Sequence, residues 1–218
     1  IIVGVTALIG SLGYIKNKKI NFSVALIFAL PSLITVYMTR RYFLPILPDD
    51  INLFNILITK DLFIMILFSL LMIISALLMI KTKENKTSSE INKSKFFKNI
   101  VIIFEGIAVG FFTGIIGAGG GFLIIPALVV FSGLDMKTAV GSSLFIIFLK
   151  SFFGFIGDYQ SGVIIDTNLL IGLFGFTIFG MLVGLSISKN LKSDILKKAF
   201  GWFTLFVAFS IIVKEAIL

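Results

Sequence analysis

The sequence predicts an all-α polytopic membrane protein, and three observations carry that prediction. The 218 residues are 58% hydrophobic and only 14% charged, where a soluble domain carries about 25% charged residues. Mean hydropathy is +1.11. The apolar residues fall into eight runs, several of which reach the roughly 20 residues that cross a bilayer. Polar and Lys-rich stretches separate most of them.

The runs lie at about 1–15, 22–39, 61–80, 99–116, 121–133, 138–157, 168–187 and 196–216. The first is too short to cross alone. It opens at Ile1 with no Met and no charged leader, which reads as an N-terminally truncated helix with the first spans missing. Runs 22–39 and 61–80 each suffice to cross. Between them Asp49 or Asp50 is placed to N-cap a short interfacial helix over 51–59. The polar stretch 81–98 is the natural linker between two halves. Residues 1–80 would be the C-terminal part of a first transmembrane repeat, and 99–218 a complete second one. The segment 99–133 is apolar throughout but interrupted by glycines. Runs 138–157, 168–187 and 196–216 complete the second half. Gly106, Gly110 and Gly114, and again Gly180 and Gly184, recur four apart. That spacing lets helices approach closely, and plain packing is its simplest reading. A faint internal repeat lays Gly13-Tyr-Ile on Gly154-Phe-Ile, with an apolar span after each; Pro31-Ser32 then falls near Phe179-Gly180.

There is no Cys and no His. This excludes disulfides, thiol redox chemistry, Cys/His zinc sites, His proton relays and Ser-His hydrolases. No paired-carboxylate motif occurs, so the chain does not read as an enzyme, and nothing in it implies a cofactor or a metal. The net charge of +8 comes from Lys and Arg set between apolar runs. That pattern suits loops facing anionic lipid. Nucleic acid is not an expected partner, because no basic face carries exposed aromatics. The expected partners are the lipid bilayer and a small anionic substrate. The sequence sets no oligomeric state.

Loop charge bears on topology. If 99–133 crosses once, the side holding loop 81–98 carries ten Lys and the other side eight Lys and Arg. If 99–133 instead turns back at the glycines, the counts become 14 against 4. Lys137, Lys189, Lys192, Lys197 and Lys198 then join the first side and Lys214 leaves it; Lys150, inside a span, is counted on neither. The positive-inside rule favours the hairpin, with loop 81–98 cytoplasmic in a cell (inner) membrane. The fold expected is therefore two similar, inverted repeats with a glycine-broken re-entrant or hairpin helix in the second.

The break is Gly114-Ile-Ile-Gly-Ala-Gly-Gly-Gly-Phe-Leu-Ile-Ile-Pro126. Glycine disfavours continuous helix and Pro126 removes a backbone donor. Unpaired backbone at membrane depth survives only beside protein or a water-filled cavity. Dinucleotide-binding G-x-G-x-x-G spacing from Gly117 fails at Phe122, and no Lys-Ser/Thr follows as a P-loop requires. The chemistry that does fit is an anion site. A half-helix starting near Gly121 presents free N–H groups and a positive dipole end. Ser142 and Ser143, near the start of the next helix, could add hydroxyl donors or could only cap it. The glycines, likewise, could serve only close packing.

The stretch GFFTGIIGAGGGFLIIPALVVFSGLDMKTAVGSSLFII resembles the signature of the TauE/SafE family of membrane proteins, described as sulfite or sulfonate exporters. Gly110, Gly114, Gly117, Gly119, Gly120, Gly121, Pro126, Ala139, Gly141, Ser142, Ser143 and Leu144 match its pattern position by position. Pro31 to Ile51 resembles the tail of the family's first repeat. The resemblance implies a multi-pass inner-membrane transporter of two similar halves, with small sulfur oxyanions or organosulfonates as substrates. The candidate substrate-binding residues are Gly117, Gly119, Gly120, Gly121, Pro126, Ser142, Ser143 and Lys150.

Lys150 lies well inside a span, where ionisable groups are functional by default. It could be a counter-charge for substrate, pair with Glu105, or snorkel. Glu105 is a candidate coupling group if buried, or an interfacial Glu if not. Arg40 and Arg41 could line an anion exit or anchor at headgroups. The function expected is anion transport by alternating access. A passive anion channel and a non-transporting scaffold or accessory subunit are the alternatives.

Overall fold

In the computed structural model the described residues are 2–48, 50–53, 56–81, 95–116, 120–160 and 167–217. They form eight α-helices: α1 (Ile2–Lys16), α2 (Phe22–Met38), α3 (Lys60–Lys81), α4 (Lys95–Ile116), α5 (Gly121–Val130), α6 (Met136–Gln160), α7 (Thr167–Asn190) and α8 (Ser193–Ile217). Each follows one of the eight apolar runs. Six of the helices contain stretches long and apolar enough to cross a membrane, while α1 and α5 are shorter. At about 1.5 Å per residue α5 is some 15 Å long, half a bilayer. A π-helical turn, Thr39–Phe43, extends α2.

One expectation fails. The segment after Asp49 is not an interfacial helix but a β-hairpin, β1 (Asp50–Leu53) with β2 (Ile56–Thr59), antiparallel, Ile51 opposite Ile58. The physical reason is composition. Ile51, Ile56, Ile58 and Thr59 are β-branched and favour the pleated conformation, and a nine-residue helix is marginal without a well-packed face.

The contacts fix chain directions. Gly106, Gly110 and Gly114 of α4 face Phe28, Ser32 and Thr39 in that order, so α4 runs parallel to α2. A Cβ on Gly106 would lie 2.6 Å from the Phe28 carbonyl oxygen and one on Gly110 2.7 Å from that of Ser32. The glycines are there because backbone meets backbone. Gly106→Val is expected to destabilise the protein by about 1–3 kcal/mol through overpacking. Gly180→Ala should be silent, because nothing lies within 4 Å of that position. Thermal unfolding in detergent compares the two.

α5 runs back along α4. Gly120, at its start, lies against Thr113, and Ser132, just past its end, hydrogen-bonds Glu105. The loops 17–21, 131–135 and 191–192 gather at one end of the bundle. There the Asn21 N–H donates to Ser142 Oγ (3.0 Å), Lys19 approaches Asp135 (3.9 Å), and the Met136 N–H donates to Ser193 Oγ (3.0 Å). Gly201, early in α8, packs on Ile80 at the end of α3, so α3 ends there too.

Helix pairing has an internal regularity. α1 packs on α6, α3 on α8, α1 on α7 and α2 on α6. These four map onto themselves when α1, α2 and α3 are exchanged for α6, α7 and α8, whereas the packing of α6 on α8 has no comparable counterpart between α1 and α3. With Gly13 laid on Gly154, Gly4 falls on Phe145 and Gly10 on Ser151. The observed contacts, Gly4 with Ser151 and Gly10 with Leu144, then exchange to within one residue. The core lies between α2, α4, α5 and α6, around Phe28, Ile102, Ile124, Leu128 and Ile146. Phe104, Phe176, Phe179, Trp202 and Phe206 point outward, as side chains in contact with lipid acyl chains do.

Candidate functional site

Four helices converge where the glycine break ends. α6 contributes Lys150, whose Nζ donates to Thr113 Oγ1 of α4 (3.1 Å) and to Ser32 Oγ of α2 (3.2 Å). Ser32 and Thr113 are buried, and Lys150 is half-buried. The Thr113 hydroxyl in turn donates to the Gly110 carbonyl (3.2 Å). Gly120 sits against Thr113 with φ +79°. This left-handed conformation suits glycine, and a Cβ would collide with the Thr113 side chain. Gly121, the first residue of α5, has its open side 3.2 Å from Ile147, one turn before Lys150 on the same face of α6.

The first N–H groups of α5 have no intrahelical acceptor. The N-terminal end of α5, an ammonium group and two hydroxyls are thus drawn to one place by residues far apart in sequence. Arg40 lies in the π-helical turn that follows α2. The described partners of Lys150 are hydroxyls, with no carboxylate among them. That arrangement suits an anion: positive charge, hydroxyl donors and a helix dipole, with no carboxylate bonded to Lys150 among the described residues.

The other residues singled out by sequence are placed as follows. Gly117 and Gly119 lie outside the described residues. Pro126 is buried in the middle of α5. Ser142 and Ser143 are fully buried, but near the start of α6, about 12 Å along the helix from Lys150. Ser142 Oγ accepts the Asn21 N–H and Ser143 donates to the Val140 carbonyl (2.8 Å). They are not brought to Lys150. Nor does Lys150 pair with Glu105, whose Oε2 accepts a 2.6 Å hydrogen bond from Ser132. Glu105 is buried within the protein.

Two cavities open near the loop end. The larger, about 390 Å³, is lined by apolar residues such as Leu144, Met181, Leu185 and Phe200. Walls of that kind cannot replace the hydration of an anion. The smaller, about 280 Å³, is lined by Tyr14, Asn17, Lys19, Lys137, Ser188 and Lys189. Its three lysines make a positively charged mouth of the kind that concentrates anions. Sequence reasoning missed Ser32, Thr113 and Ser132 as partners of the buried charges. Their signal was present: hydroxyl residues inside apolar spans serve as interhelical donors.

Comparison with known proteins gives a consistent result. The family model described as sulfite exporter TauE/SafE matches residues 1–211. Probable membrane transporter protein YunE of Bacillus subtilis is 29% identical over 212 residues, covering 86% of this chain and 69% of the relative. A probable membrane transporter protein of Methanocaldococcus jannaschii is 33% identical over 112 residues, 47% of this chain and 40% of the relative. One from Xylella fastidiosa is 29% identical over 157 residues, 68% of this chain and 58% of the relative. The chain therefore matches about two thirds of the length of the first of these relatives and about half that of the other two. No solved structure matches it.

Proposed function

This chain belongs to the sulfite exporter TauE/SafE family, and we propose that it transports small anions, sulfur oxyanions or organosulfonates, by alternating access. The observation that carries this reading is Lys150, held in the membrane interior by Ser32 and Thr113 beside the start of α5. An ammonium group inside the bundle whose described partners include no carboxylate is costly. An incoming anion supplies the missing charge and accepts hydrogen bonds from Lys150 and the first N–H groups of α5. Gly120 and Gly121 let the start of α5 lie close against Thr113 and Ile147, which keeps its N–H groups near Lys150. Gly117 and Gly119, which precede these two glycines in sequence, and Pro126, within α5, are assigned to the same site. Ser142 and Ser143 steady the end of α6 beside the positively charged mouth and act on transport indirectly.

Alternating access requires two halves that rock against each other. The self-mapping helix contacts support inverted repeats, one in 1–80 and the other in 99–218. The reversal of α5 along α4 supports the hairpin, and it collects the lysines of both halves at one end. That end, with loop 81–98, is assigned to the cytoplasm of a cell membrane.

The assignment is open to a direct test, because the chain has no natural Cys. Single cysteines at Ser161 and at Lys192 are treated with an impermeant maleimide from outside intact cells. Labelling at 161 and protection at 192 is expected; the reverse pattern sinks the topology. The site itself is tested by the Lys150 and Gly120 substitutions taken up in the Discussion.

A further inference from the structure

We propose that Glu105 is the site of the coupling proton, so that α5 carries an anion site at its first residue and a proton site at its last turn. This rests on the anion-transport reading above. Glu105 is 7% exposed in the middle of α4. Its Oε2 accepts the Ser132 hydroxyl at 2.6 Å, and its Oε1 has no hydrogen-bond partner. A buried carboxylate oxygen with nothing to bond is costly, whereas a carboxyl group that takes a proton on Oε1 removes the charge.

The end of α5 adds to this. Ser132 follows the C-cap Phe131, where the helix dipole is negative and disfavours an anionic neighbour. The described backbone hydrogen bonds at this end go to the carbonyls of Ala127 and Leu128. The elements packed on α4 are α2, α3, α5 and the π-helical turn. Neither α2 nor α5 contains a charged residue. The charges of α3 are Lys60, Asp61 and Lys81, at its two ends. Arg40 and Arg41 of the turn lie toward the other end of α4, where Thr39 meets Gly114. Close to Ser132 in sequence, Asp135 is held by Thr138 and approached by Lys19. Lys197 of α8 is the other buried cation at this end.

The step is an addition of one proton to the Glu105 carboxylate to give the neutral acid, and its loss to water on the opposite side. No electron moves and no other bond changes. Coupling follows from charge. With anion on Lys150 and proton on Glu105, both buried charges are compensated. With only one ligand bound, one buried charge stands alone. With neither bound, Lys150 and Glu105 carry opposite charges and the interior has no net charge, as it has none with a monoanion and a proton both bound; the doubly loaded and the empty states are therefore the ones that reorient. A single carboxyl with one hydroxyl donor also lacks the six or so oxygen ligands expected of a metal-cation site.

The test uses the full-length protein in proteoliposomes with [35S]methanesulfonate, a monoanion that carries no proton near neutral pH, and with [35S]thiosulfate in parallel. Wild type is expected to exchange label and to accumulate it against its gradient when a pH gradient is imposed. In Glu105→Gln, exchange should persist while pH-driven accumulation falls by about tenfold or more. Accumulation driven equally well in Glu105→Gln, or driven by a Na⁺ gradient in place of the pH gradient, overturns the proposal. Loss of all exchange in wild type strikes at the anion reading instead. Infrared spectroscopy gives a readout independent of transport. Wild type should show a protonated-carboxyl band that Glu105→Gln lacks and Glu105→Asp retains, shifted; an identical spectrum in wild type and Glu105→Gln overturns the proposal without reference to any substrate.

Discussion

Lys150→Met is expected to reduce anion flux by roughly 30-fold or more while the protein still inserts and folds. The size follows from removing one partner of a buried charge pair, worth about 2–5 kcal/mol, at about tenfold per 1.4 kcal/mol. Folding should survive because Met matches the length of the stem and no ion pair is broken. Thr113 keeps its hydrogen bond to the Gly110 carbonyl, and Ser32 can turn to its own helix. Lys150→Arg should retain part of the flux, since charge is kept but the planar guanidinium cannot reproduce the bonds to two hydroxyls. Detergent-solubilised variants with wild-type unfolding curves and lost flux support the site. Full flux in Lys150→Met removes it.

The second large effect is expected at Gly120. Its φ of +79° costs a residue with a side chain about 1–2 kcal/mol, and the Cβ of Gly120→Ala is driven into Thr113. Overpacking adds about 1–3 kcal/mol. Gly120→Ala should therefore lower the thermal midpoint and abolish transport together. The double variant Gly120→Ala with Thr113→Ser removes the colliding methyl and keeps the hydroxyl. It should recover the overpacking part of the stability and leave the backbone part lost. Equal stability of wild type and Gly120→Ala would falsify the view that this glycine is required by close approach. The contrast with Gly121 is informative. Its φ is ordinary and a Cβ there meets only the tip of Ile147 at 3.2 Å, so Gly121→Ala should be far milder for folding and act mainly on anion access.

Much of the fold was legible because membrane helices are written in composition. In lipid every backbone group must be satisfied within its own helix, so the eight apolar runs gave the eight helices to within about four residues at each end. The turn at the glycines is an expectation drawn from charge: a segment that ends where it began would move Lys137 and the lysines of 189–198 to the side of loop 81–98, and the approach of Ser132 to Glu105 and of Gly120 to Thr113 is compatible with it. The hairpin over 50–59 was not, because a short stretch carrying both an N-cap candidate and β-branched residues satisfies either pattern. The site was half legible. Gly120, Gly121 and Lys150 stood out, the first two by interrupting an apolar run and the third by being charged inside one. What sequence could not provide was pairing across the bundle. Ser32 and Thr113 lie 81 positions apart in the chain and meet only because α2 and α4 run side by side on a glycine seam. Ser142 and Ser143 looked equivalent to them by composition, yet α6 carries them to its other end.

The central claim, that this family member moves a sulfur oxyanion by alternating access, is tested most directly by counterflow. Full-length protein is reconstituted into liposomes loaded with unlabelled sulfite, sulfate, thiosulfate or methanesulfonate in turn, and uptake of the matching [35S]-labelled anion is followed. The account predicts saturable uptake that is stimulated by internal unlabelled anion for at least one of the four and is lost in Lys150→Met. Uptake that rises linearly with concentration and ignores the internal anion describes a pore and contradicts alternating access. No uptake of any of the four by folded protein contradicts the anion assignment itself.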